Sequence, residues 1–152
     1  MKLTTKPALG IVLLLFAPLA VAQSKLGELL DAGGKKLSGE DFKEEVVQRV
    51  LIGPTAAGGS IEVLYAQTGV IQGLGTYSPT TQRMAPVAGV WTIDESGRVC
   101  TSMQIGGGIG GAAGSVSLPP RCQSWFKYKD QYFLADSDTD RQARVLVRTL
   151  KQ

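Results

Sequence analysis

The chain predicts a mainly β fold of the α+β class: an antiparallel meander of about seven or eight strands, closed as a small barrel or curled sheet, with two short N-terminal helices. Three observations predict it. Short runs rich in β-branched and aromatic residues follow one another from Ser60 to Leu150. Turn residues separate them at close intervals, at Thr68-Gly69, Ser78-Pro79, Asp94 to Gly97 and Lys129-Asp130. No helical pattern intervenes between them that could carry a crossover between parallel strands.

The elements take their places in order. Lys2 and Lys6 precede an apolar run from Ala8 to Ala22, which closes on Ala20-Val21-Ala22 before Gln23. A basic start, a short apolar stretch and small residues at the end are the parts of a secretory signal peptide, so residues 1–22 are expected to be cleaved near Ala22-Gln23. Residues 23–152 then form a single β-rich domain, periplasmic or secreted, and not membrane-spanning after cleavage. The first helix starts at Ser24, with Leu26, Leu29 and Leu30 at helical spacing, and stops at Gly33-Gly34. The second has Ser38 as cap, Asp41 at the third helical position, and Leu37 and Phe42 as a hydrophobic staple. Phe42, Val46 and Val50 would share one face of it, and Gly53-Pro54 would end it.

Strands are expected near Ser60 to Ala66, Val70 to Tyr77, Arg83 to Ile93, Arg98 to Ile105, Arg121 to Lys127, Gln131 to Asp136 and Arg141 to Leu150. Trp91 then stands late in one strand and Cys100 early in the next, with the turn Asp94-Glu95-Ser96-Gly97 between them. Cys100 and Cys122 are the two cysteines of the chain. In an oxidising compartment an even pair reads as a disulfide, and facing antiparallel strands hold two Cα atoms within its reach. Closing a loop of roughly 20 residues is worth about 3 kcal/mol on the chain-entropy model.

Charge narrows the partners. Removing Lys2 and Lys6 takes 16 basic residues to 14, against 13 acidic ones. A nearly balanced chain lacks the concentrated positive field that nucleic acid requires, so no nucleic acid is expected as partner. The chain contains no His. Zinc and copper sites of the usual kinds therefore lack their commonest ligand, and no metal or cofactor is expected.

The stretch "GVWTIDESGRVC", the second Cys with an aromatic nearby, the "YKDQY" turn and the "LSGED" helix start together resemble small exported bacterial proteins of a domain-of-unknown-function family. Such proteins carry a G-x-W strand, an acidic-Gly-Arg turn and a Cys pair. The likeness covers most of residues 37–136; it implies an exported location and a fold of this kind, and it implies no activity. The chain departs from that pattern in a long Gly-rich insert.

That insert, from Gly106 to Pro120, holds G-x-G-x-x-G at Gly106, Gly108 and Gly111. A phosphate-cradling loop needs a helix N-terminus directly after it, and here Pro119-Pro120 and a cysteine follow. The insert reads either as a flexible connection with no bound partner or as a candidate binding loop, with Gly106, Gly108, Ile109, Gly111 and Leu118 as its contact residues. Trp91 and Trp125 are candidate pocket or core aromatics. Asp136, Asp138 and Asp140 have the alternate spacing of a calcium loop, but Arg141 stands where glycine is needed and Val147 where the bidentate glutamate should be, so a solvated turn is expected. Arg144 and Arg148 alternate with Val145 and Val147, which reads as one wet and one buried face of the last strand.

Catalysis has little support. Without His there is no Ser-His or Cys-His pair. Asp94, Glu95 and Asp130 sit in predicted turns, where solvation keeps carboxylates ordinary. The expected function is a non-catalytic, exported cell-envelope binding module for an unknown envelope ligand. The alternative is an interaction, inhibitor or accessory protein that docks on a partner protein through loop 106–120.

Overall fold

The computed structural model describes residues 25–80, 83–106 and 114–152, so the expected signal segment 1–22 lies outside the described residues. The elements are α1 (Leu26–Asp31), β1 (Lys35–Lys36), α2 (Gly39–Glu45), β2 (Val50–Pro54), β3 (Ser60–Tyr65), β4 (Val70–Gly75), β5 (Ala85–Ile93), β6 (Val99–Ile105), β7 (Val116–Tyr128), β8 (Gln131–Ala135) and β9 (Val145–Leu150). From β2 onward each strand pairs antiparallel with the next, and β9 returns to pair with β2 through Leu51–Leu150 and Ile52–Thr149. The result is a closed eight-stranded antiparallel barrel. The extra strand β1 continues the β6 edge of β7, where Lys36 faces Phe126.

Alternation along the strands sets the two faces. Ile61, Val63 and Tyr65 of β3, Ile71 of β4, Val87 and Trp91 of β5 and Val99 and Ile105 of β6 all turn inward, into one core. An eight-stranded barrel is just wide enough for such side chains to fill it or to leave room for one small ligand. A second cluster lies outside the barrel, where Leu26 and Leu29 of α1 cover Phe126, Phe133, Ala135 and Val145. Backbone bonds from Leu26 and Gly27 to the carbonyls of Ala143 and Arg141 fix α1 there.

The short helix α2 seals one end. Phe42 enters the barrel and meets Trp125, Trp91 and Tyr65 edge-on, with ring centroids 4.9, 5.4 and 5.6 Å away. Trp91 Nε1 donates to the Ala66 carbonyl, so the indole is satisfied within the core. The capping box at the start of α2 is complete: Asp41 N donates to Ser38 Oγ, while Asp41 Oδ2 accepts from Ser38 N and Ser38 Oγ. Those bonds, the side-chain one foremost, hold the Asp41 carboxyl below its ordinary pKa. A carboxylate with a depressed folded pKa adds stability above its unfolded value, and that stability is lost as pH falls through the folded value. Ser38→Ala is therefore expected to lower the urea midpoint at neutral pH, with the gap to wild type narrowing below the ordinary aspartate range. A gap that stays constant into acid would show that Asp41 contributes nothing through this box.

Two sequence-based expectations need correction. Val50 does not continue the second helix: α2 ends at Glu45, Gln48 adopts φ 67°, and the reversed chain enters β2 at Val50. Val46, Val47 and Val50 are β-branched and poor helix formers, and Leu51 is needed inside the barrel where β2 closes it. Nor is 106–120 all loop, because β7 starts at Val116 and runs through Pro119-Pro120. Leu118 faces Met103 and Arg121 faces Thr101, so the two prolines stand opposite Ser102 alone, in a bulge that needs no N–H from them.

Candidate functional site at the open end of the barrel

The end away from α2 gathers the feet of four connections. Pro54 and Ser60 bound one, Gly75 and Ala85 the next, Ile105 and Val116 the third, and Ala135 and Val145 the last. The first is tied to the second by Thr55, which is buried; its Oγ1 donates to the Tyr77 carbonyl and accepts from Gly59 N. Between these feet lies a cavity of about 300 Å³. Ile61, Met103, Leu118 and Leu146 make its apolar wall, and Thr55, Tyr77, Arg121, Gln123 and Arg148 its polar groups. This volume lies at the small end of the range for ligand pockets, which combine an apolar wall with a few placed polar groups.

The two arginines differ. Arg121 stands at the rim, half exposed, 3.7 Å from Asp136 Oδ2, and Asp136 Oδ1 also accepts from Gln123 Nε2. Arg148 is only 4 % exposed. Its Nη1 donates to the carbonyls of Pro54 (2.6 Å) and Val147 (2.9 Å), its Nε has no partner, and no carboxylate among the described residues pairs with it. Burial pushes its pKa down from the ordinary value, opposed by the phenol of Tyr65. A guanidinium keeps its proton in proteins even so, which leaves a buried cation met, among the described residues, by carbonyl dipoles alone. Gly53 makes room for it: a Cβ there would strike the Val147 carbonyl and come 2.7 Å from Arg148 Nη1.

The expectation that Arg148 lies on a wet face is thus overturned. Leu146, Arg148 and Leu150 share the inward face of β9, while Val145 and Val147 pack outward beneath α1. Leu146 and Leu150, which flank Arg148 at alternate positions, are the one hint in the sequence, but Val145 and Val147 make the opposite face equally apolar, so alternation alone does not choose between them.

Other residues singled out from the sequence fall elsewhere. Leu118 is half-buried in the cavity wall. Gly106 ends β6 with φ 86°, and Gly108, Ile109 and Gly111 lie outside the described residues. Trp91 and Trp125 belong to the aromatic core at the sealed end, away from the cavity. Cys100 and Cys122 are bonded and face each other across β6 and β7 on the outer surface. Asp94 approaches both sulfurs, but these are spent in the disulfide, and its carboxylate instead accepts from Ser96 N, Arg98 N and Arg98 Nε. Those bonds, chiefly the one from Arg98 N, lower its pKa and fix the β5–β6 turn. In the 136–140 run, Asp138 pairs with Lys36, and Asp140 Oδ1 accepts from Gln142 N.

No family model, no curated protein and no solved structure matches this chain. Function must therefore be read from its own residues.

Proposed function

We propose that this is a non-catalytic, exported cell-envelope protein whose barrel binds one small, largely apolar ligand at its open end. The observation that carries this is the cavity of about 300 Å³ walled by Ile61, Met103, Leu118 and Leu146. Its mouth stands among loop feet rather than on a flat outer face, which is where barrels hold ligands. Export is supported by the Cys100–Cys122 disulfide, a bond kept in oxidising compartments. It is also compatible with the absence, among the described residues, of any helix long and apolar enough to cross a membrane. Docking through the Gly-rich connection is the lesser reading, because Leu118, which it would present outward with Ile109, contributes to the cavity wall.

The neutral fluorophore N-phenylnaphthylamine tests the reading. Titrated into the purified protein, it is expected to brighten with saturable one-to-one stoichiometry, and Leu118→Trp, which fills the cavity, is expected to abolish the signal while the barrel still unfolds cooperatively. No saturable binding, or binding that Leu118→Trp leaves intact, would overturn the assignment of the site.

A further inference from the structure

We propose that the ligand is an anionic amphiphile, a short apolar body carrying a carboxylate or a similar oxyanion that is received by Arg148. This inference rests on the cavity being a binding site and adds the chemical class of what enters it. Three features combine. Arg148 lines the cavity at 4 % exposure, yet it has no acidic partner among the described residues. A buried charge normally acquires a counter-charge, since its lost hydration is otherwise left uncompensated. Here two carbonyls bind Nη1 and leave the rest of the fork without a carboxylate.

The second feature is the sign of the site. Among the described residues its charged lining groups are Arg121 and Arg148, and Asp136, the acid beside Arg121, is held at the rim by Arg121 and Gln123. An anion that reaches the cavity meets the buried Arg148 and no carboxylate in the described lining. The third is the placement of Arg148 beside apolar Ile61 and Leu146, so that one molecule can lay an alkyl or aryl body on that wall while its head reaches the guanidinium. A purely structural role, clipping the β2 carbonyl of Pro54 to β9, would require only a donor at Nη1. It would not require a cavity beside an unmatched charge.

The test pairs ligands that differ only in the head. Displacement of N-phenylnaphthylamine by octanoate is expected at a concentration about ten- to a hundredfold lower than by octanol, the range a charge-assisted hydrogen bond supplies. Arg148→Met is expected to bring the two to equality, Arg148→Lys to keep part of the preference, and Arg121→Gln to leave most of it. Should Arg148→Met fail to fold, the wild-type comparison and Arg148→Lys still decide. Equal displacement by octanoate and octanol in wild type would overturn the anionic class while the binding site itself stands. A preference that survives in folded Arg148→Met, or that vanishes in Arg121→Gln instead, would overturn the role given to Arg148. If the fluorophore itself does not bind, the failure lies with the site and not with the ligand class.

Discussion

Phe42→Ala is expected to destabilise the fold by about 3–5 kcal/mol, the cost of removing a fully buried phenylalanine that the surroundings cannot close over. Phe42 is 1 % exposed and is the one ring that α2 contributes to the barrel. Its three aromatic neighbours come from β3, β5 and β7, strands held by the closed hydrogen-bond ladder, so they cannot collapse onto the void. Such edge-on pairs also add about 0.5–1.5 kcal/mol each beyond the area they bury. Urea unfolding followed by tryptophan fluorescence checks this, since Trp91 and Trp125 both border the site of the change. A loss below about 1 kcal/mol would mean that α2 is a loose cover and that the barrel has two open ends.

Replacing Cys100 and Cys122 together by alanine is expected to cost about 2–4 kcal/mol under oxidising conditions. The bond closes a sequence separation of 22 residues, and its loop contains the whole β6–β7 connection. It also ties β6 to β7 one residue from the bulge at Pro119-Pro120, where the register shifts. Without the bond, the unfolded chain regains the entropy of that loop, and the bulged ladder alone must hold the register. Chemical unfolding of the variant, with and without reductant, separates the two terms. Wild type treated with reductant should approach the variant, and a variant as stable as oxidised wild type would show that the bulged ladder suffices. Because Met103 and Leu118 lie just beyond the bulge on the cavity side, the variant should also weaken fluorophore binding at denaturant levels well below its midpoint.

Local chemistry was enough for much of the architecture. The turn Asp94 to Gly97 is legible because Asp94 can accept from two backbone N–H groups and Gly97 can take φ 76°, which other residues resist. Ser38 and Asp41 announce the start of α2 for the same kind of reason, a reciprocal bond between near neighbours. The pairing of Cys100 with Cys122 follows from their number and from the hairpin that brings their strands side by side. Such features depend on residues close in sequence, or on a count.

What the chain alone did not decide depends on strands distant in sequence. Alternation shows that Leu146, Arg148 and Leu150 share one face and Val145 and Val147 the other, but not which is inside, because both are apolar enough to be buried. The choice is made by α1, whose Leu26 and Leu29 cover the valine face, and by β2, whose pairing with β9 encloses the other. β2 itself was hidden for a related reason: Val50 to Pro54 is only five residues long, and it is a strand because β3 and β9 flank it on both edges. Barrel closure joins Leu51 to Leu150 across almost the whole domain, and that long-range contact turns an arginine read as solvated into a buried charge that lines the cavity.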